Sequence, residues 1–246
     1  MRGLITALQF LTIIPLSRKR ECSEKELVRS MAWYPLAGLI IGICLAAVHC
    51  VCRLVFPPMV TDVMVIMVLV VITGALHLDG FADTVDGLAG GGDRTRVLAI
   101  MKDSKIGSFA VTGICLLIVL KICALGAVPG AAKIQALIVM PVVSRWSLVA
   151  LAACFPYARG EGGTGALFVS RVGGFEMVVS SMTVLLIVMG CFLLEGLVIW
   201  MVAAVITGFV GLCFRRRIGG VTGDIMGAVN EVNEVAVLLV AVAILS

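Results

Sequence analysis

The chemistry in this chain concentrates in one stretch, His77-Leu-Asp79-Gly-Phe-Ala-Asp83-Thr-Val-Asp86-Gly-Leu. Its three carboxylates stand at i, i+4 and i+7. On a helix they share one face within an arc of about 60°, over about 10 Å of rise. Like charges this close repel unless a positive group sits among them. Hard oxygen ligands on one face suit Mg²⁺, which binds carboxylates together with substrate phosphates. The competing reading is a solvated polar face. Acids at the end of a membrane helix are costly unless they have a task, which favours the metal reading. Gly80 and Gly87, beside the acids, favour close approach of a ligand or another helix.

Two further segments hold groups suited to phosphate. Gly90-Gly91-Gly92-Asp93 exposes backbone N–H groups that can cradle an anion at Gly91, or is a bare flexible turn. Arg94, Arg96, Lys102 and Lys105 follow; they either neutralise phosphate oxygens or flank a span as ordinary basic residues. Asp103, between the two lysines, is an ion-pair partner, a further metal ligand or a base. Near the C-terminus, Gly219-Gly220-Val-Thr222-Gly223-Asp224 leads to Asn230-Glu231 and Asn233-Glu234. On a helix starting after Gly223, Asp224 and Glu231 align at i, i+7 and would complete a two-metal site for phosphoryl transfer. A polar helix start, with acids favoured near the N-terminus, explains them equally well. Arg145 falls inside an apolar run and needs an acidic partner or a phosphate. His49 is expected at an interface, and His77 in a structural hydrogen bond.

What must position these groups is a membrane helix bundle. The chain has 246 residues, 61% apolar and 14% charged, with a mean hydropathy of +1.16. A soluble domain is nearer half apolar. Apolar runs fall at 36–55, 60–76, 109–128, 133–154, 177–194, 197–214 and 235–245. Most approach the roughly 20 residues a span needs. The last spans only if its helix begins before Glu234, and a split near Glu195-Gly196 demands a very tight turn. The expected fold class is therefore all-α: a polytopic bundle of about six or seven transmembrane helices, forming one domain over residues 1–246. With the N-terminus inside, fifteen of the nineteen basic residues, including Arg18-Lys19-Arg20, fall on one side. That asymmetry predicts a cytoplasmic N-terminus and active site, in the inner membrane. The start, MRGLITALQFLTIIPL, has no small-residue cleavage site and reads as a retained segment, with residues 1–34 at the interface. Ser23-Glu24-Lys25-Glu26 has the form of a capping box, and Trp33-Tyr34 of an aromatic belt. The nine cysteines lack metal spacing and read as small packing residues. A net charge of +4 does not suggest nucleic-acid binding. Glycine-rich spans make a homo-oligomer plausible.

The sequence resembles the cobalamin synthase family, the adenosylcobinamide-GDP ribazoletransferases, nearly end to end. The likeness rests on Phe10-Leu-Thr12 with Pro15, Tyr34-Pro35-Leu-Ala-Gly38 with Gly42, and HLDGFADTVDGLAGG. It continues through Arg96 to Ala110, Ser144-Arg145, Pro156-Tyr157-Ala158-Arg159, and Gly219 to Asp224 with Gly227-Ala228. The resemblance implies an integral membrane enzyme acting late in cobalamin nucleotide-loop assembly. Such an enzyme joins adenosylcobinamide-GDP to α-ribazole, or its 5′-phosphate, releases GMP and requires Mg²⁺. On that reading Asp79, Asp83 and Asp86, with Glu231, hold Mg²⁺. Lys102, Lys105, Arg94, Arg96, Arg145 and Gly91 meet substrate, and Asp103 or Asp224 takes the attacking hydroxyl's proton. Two rivals remain. A CDP-alcohol phosphotransferase or prenyltransferase also uses Asp-rich helices, but with other spacings. A cation transporter would place its acids at mid-membrane.

Overall fold

The computed structural model describes residues 2–15, 22–160 and 164–245; Arg18-Lys19-Arg20 lie outside them. In hydrocarbon every backbone N–H must be bonded within its own segment, so the long apolar runs fold as helices. The N-terminal part comprises α1 (Arg2–Leu11) and α2 (Glu24–Ser30), with a 3₁₀ turn from Met31 to Trp33. The capping box forms as expected: Ser23 Oγ accepts from the Glu26 N–H, and Glu26 reaches back to the Ser23 N–H. α1 turns Ala7, Leu8 and Leu11 inward, and Trp33 closes against Gly3.

The bundle itself is α3 (Tyr34–Cys52), α4 (Pro58–Ile72), α7 (Ser108–Ala127), α8 (Lys133–Cys154), α10 (Gly174–Ile218) and α11 (Gly223–Leu245). Helix α8 is the central post, buried along most of its length. α3 reaches it through Gly38 and Gly42; a Cβ on Gly38 would lie 2.3 Å from the Pro141 carbonyl oxygen. Small residues let helix backbones approach this closely in membranes. Those two glycines are thus spent inside the chain rather than on a second copy. Outward, α3, α7 and α10 present Ile43, Leu116, Val119, Leu186, Val205 and Phe209 bare. A continuous apolar surface of this kind is what lipid requires.

Two points that the sequence leaves open about the spans are decided in the structure. Straight, the 45 residues of α10 would reach about 67 Å, more than twice the hydrocarbon thickness. They do not run straight: Leu193 is non-helical, with φ 49°, and a Cβ on Gly196 would meet the Val188 carbonyl oxygen at 2.3 Å. The chain folds back there, so the tight turn expected near Glu195 is real and α10 is a hairpin of two limbs. The final span is not short either, because α11 begins at Gly223 and takes Asn230, Glu231, Asn233 and Glu234 into the bundle.

The run expected to end at residue 76 stops at Ile72. Gly74 and Ala75 adopt left-handed backbone, and α5 (Leu76–Ala89) leaves at 89° to α4. α5 therefore lies across the end of the bundle, followed by the short α6 (Arg94–Ile100). α9 (Thr164–Arg171) covers the same end. Among the described residues there is no strand, only an isolated bridge between Tyr157 and Val221. Of the cysteines, only Cys52 is buried and none forms a disulfide; most sit on helix surfaces.

Candidate functional site

The Asp-rich stretch is helical, as its spacing predicts, and all three acids lie on α5. What brings α5 against α11 is glycine on both sides. A Cβ on Gly80 would sit 2.8 Å from the Asp224 carbonyl oxygen, and one on Gly227 would sit 3.0 Å from that of His77. This contact sets Asp224, at the first turn of α11, beside the α5 acids. Thr222 begins α11 by accepting the Ile225 N–H, and its hydroxyl donates to Asp224 Oδ2 at 3.3 Å.

The loops are strapped around that point. Ala158 N–H donates to the Val221 carbonyl and Val221 N–H to the Pro156 carbonyl, both at 2.9 Å. Arg94, expected at substrate, donates to the Ala158 carbonyl at 2.6 Å and lies against Gly219. It ties three loops together. Arg159 then reaches Asp224 Oδ2 at 2.7 Å, half-buried. Sequence reading passed over Arg159 as one more basic loop residue; its signal was the Pro156-Tyr157-Ala158-Arg159 run facing Gly219 to Asp224.

The acids feel one another. Partial burial, then the Asp224 and Asp79 carboxylates, push Asp83 up to about 6 from an ordinary 3.8. Asp86 is placed differently from its two companions. Its Oδ2 accepts the Gly107 N–H at 2.6 Å and its Oδ1 the Ala110 N–H at 2.8 Å. It caps α7, so its oxygens are partly committed to the start of that helix. Among the described residues no three His, Cys, Asp or Glu side chains converge on a single point. The donor set is an open one. Mg²⁺ commonly keeps only one or two carboxylates and completes its shell with water and phosphate. Asp79 and Asp83 fit that pattern, with Asp224 beside them, whereas no closed all-protein cage forms among the described residues.

Two expected site residues lie elsewhere. Glu231 does not line up with Asp224 at the acid cluster, being buried two turns deeper. Lys121 of α7 bonds Glu231 and Glu234, each at 2.5 Å. Arg145 is likewise engaged inside the bundle: it is fully buried and paired with Glu234, which Asn230 and Ser144 also contact. The need of Arg145 for an acid or a phosphate is met by the acid. Two cations and two carboxylates cancel there, as burial in a bundle demands. The remaining candidates stand in the open. Lys102, Lys105 and Arg96 are exposed, and Asp103 accepts the Lys105 N–H at 3.1 Å. Gly91 has φ +61°, with nothing within 4 Å of where a Cβ would stand.

Beside Asp79 and Asp224 is a partly open cavity of about 150 Å³. Phe10, Tyr34, Phe168, Leu148 and Met226 form its apolar walls. His77 also lines it. That residue is buried, but its Nδ1 lacks the hydrogen-bond partner expected of it.

The profile of the family described as cobalamin-5-phosphate synthase matches residues 3–242. The adenosylcobinamide-GDP ribazoletransferase of Geotalea daltonii is 40% identical over 246 residues, covering 99% of this chain and 98% of the relative. The protein of the same name from Syntrophobacter fumaroxidans is 41% identical, over 96% of each chain. That from Clostridium tetani is 37% identical, over 99% of this chain and 97% of the relative. No solved structure matches.

Proposed function

The chain belongs to the cobalamin-5-phosphate synthase family, and on that premise we propose that it is a membrane adenosylcobinamide-GDP ribazoletransferase. It moves the cobinamide-phosphate group onto α-ribazole, or its 5′-phosphate, and releases GMP. The observation that supports this most directly is the meeting of Asp79, Asp83 and Asp224 with Arg159 at the end of the bundle where α5 lies across it. The basic residues of the loops gather at that end, which supports placing it in the cytoplasm, at the inner membrane.

Asp79 and Asp83 would hold a divalent cation of the Mg²⁺ type, which would supply positive charge to offset that of the diphosphate and of the departing GMP. Asp86 keeps α7 in register behind them. Arg159, already beside Asp224, is placed to exchange that carboxylate for a phosphate oxygen. Lys102, Lys105 and Arg96 are free to meet the outer phosphate oxygens, and Gly91 leaves room for one. In the transfer, a hydroxyl oxygen of the acceptor forms a bond to the phosphorus attached to cobinamide. The bond from that phosphorus to the oxygen bridging to GMP breaks, and the electron pair leaves with GMP. Asp224 takes the hydroxyl's proton. Asp103, out on its loop beside Lys105, is the other candidate acceptor. Positioning and charge supply most of the rate in such transfers.

The test is to incubate the protein purified in detergent with adenosylcobinamide-GDP, α-ribazole and Mg²⁺. GMP and a nucleotide-loop corrinoid should appear in equal amounts. Absence of GMP with all three present, or release of CMP or pyrophosphate from other donors instead, would overturn the assignment.

A further inference from the structure

A groove of about 580 Å³ lies between α1, α2 and the start of α10, and shares no lining residue with the cavity beside the acids. α1 contributes Arg2 and Thr6 to it, α2 Arg29, the 3₁₀ turn Trp33, and α10 Phe175. An adjoining recess of about 320 Å³ shares Arg29 and adds Lys25 and Arg171. Pockets that take small ligands run from roughly 300 to 1,000 Å³. The cations here are not spent inside the protein. Among the described residues, Arg2, Lys25 and Arg29 form no ion pair or hydrogen bond through their charged groups. Arg171 alone is paired, with Glu24 at 2.6 Å. The two carboxylates that line the groove serve helix starts. Glu26 accepts the N–H and hydroxyl of Ser23, and Glu176, buried, accepts the Gly173 N–H at 3.0 Å. Two guanidinium forks and an ammonium around one depression suit a phosphate.

The surface that continues from the groove says which kind of phosphate. Phe175, at its edge, begins a run with Val178, Met182 and Leu186, all four exposed. Steps of three and four residues put them on one side of the first limb of α10, as an apolar strip leading away from the groove. Trp33, itself exposed, stands at the groove as aromatic residues do at headgroup level. A soluble phosphate would use the arginines and leave the strip bare. A phospholipid uses both, its headgroup on the cations and an acyl chain along the strip.

We infer that this groove binds one anionic phospholipid, with Arg2 and Arg29 on the headgroup phosphate and an acyl chain laid along Phe175, Val178 and Met182. The site stands apart from the transferase reading and requires only that the bundle lies in a membrane. A lipid seated there joins α1, α2 and α10 at one point. It also fixes the first turn of α1, the helix whose far end carries Phe10 to the cavity beside Asp79.

The test uses the full chain in an uncharged detergent, doped with phosphatidylglycerol or with phosphatidylcholine of the same acyl chains, and no substrate. Lipid retained by the protein is counted by native mass spectrometry, and the melting temperature is followed in parallel. Phosphatidylglycerol should be retained with at least tenfold preference and should raise the melting temperature more. Replacing both arginines, Arg2→Gln with Arg29→Gln, removes two charge-assisted contacts and should cut the preference about tenfold. Arg216→Gln with Arg217→Gln changes two exposed arginines elsewhere on the molecule, and should leave the preference within twofold. Equal retention of the two lipids overturns the proposal. So does a preference that survives loss of Arg2 and Arg29, or one that falls as far in the Arg216 and Arg217 variant, which would mean diffuse attraction to basic surface. Inorganic phosphate added with phosphatidylcholine should not raise the melting temperature. A rise equal to that with phosphatidylglycerol would make the site one for a soluble anion and would overturn the lipid assignment. Should the double variant not fold, Arg29→Gln alone decides: the preference should fall at least threefold, and an unchanged preference overturns the proposal.

Discussion

Partial burial, with the Asp224 and Asp79 carboxylates alongside, holds the proton of Asp83 up to about 6. A group whose folded pKa is raised contributes stability at low pH and loses it as pH rises through that value. The cation-free protein should thus become less stable between about pH 4 and pH 7, as Asp83 ionises against its neighbours. A divalent cation replaces the lost proton. Added Mg²⁺ should raise the melting temperature more at pH 7.5 than at pH 5, and an equal rise at both would contradict a role for Asp83 in holding it. Asp83→Asn should reduce GMP release by at least about a hundredfold, the scale seen when a group that stabilises transition-state charge is lost. The same variant should elute from a sizing column like the parent, because the repulsion it removes opposed folding. Full activity would end the metal assignment.

At the scale of elements, the site exists because α5 breaks from α4 at Gly74-Ala75 and settles on α11. The contact between these two helices is backbone to backbone, so it tolerates no side chain. Gly80→Ala would push a methyl group into the Asp224 carbonyl. Overpacking of this kind costs about 1–3 kcal/mol. The displacement falls on Asp224 itself, so activity should drop well beyond what the loss of folded protein explains. Measuring kcat alongside the fraction folded separates the two effects. Asp86 serves the neighbouring junction, where it fixes the start of α7. Asp86→Asn keeps the acceptor on one side only, and should loosen the loop from Lys102 to Gly107 as read by proteolysis or hydrogen exchange.

Across the whole molecule, the bundle is held by a buried ion cluster that spans three helices: Lys121 on α7, Arg145 on α8, Glu231 and Glu234 on α11. Removing one partner of a buried pair strands its counter-charge, at a cost of about 3–5 kcal/mol. Glu234→Gln should therefore unfold in detergent well before the parent, and a second change, Arg145→Met, should recover part of the loss. Failure of the first variant to lower the melting temperature would mean the cluster is solvated. Orientation is open to a direct check. A membrane-impermeant maleimide should label Cys22, at the end bearing the acids, only in inside-out vesicles. A cysteine placed at Leu54, at the opposite end, should react only in right-side-out ones. The reverse pattern would turn the site to the other side of the membrane.

The linear sequence was enough to determine the helix bundle, because a run of apolar residues long enough to span has few other ways to satisfy its backbone in lipid. It also determined the acid face of α5, since spacing at i, i+4 and i+7 is a property of the helix alone. It could not say which of the remaining charges belong to the site. Glu231 shares a helical face with Asp224, yet two turns of rise take it into the bundle, where Lys121 claims it. Arg145 finds Glu234, 89 positions away, and Arg159 finds Asp224, 65 positions away. Those partnerships depend on how helices dock and on which glycines let them approach. Only the tertiary structure decides them, because a charge in low dielectric is assigned by whatever opposite charge the packing brings within reach.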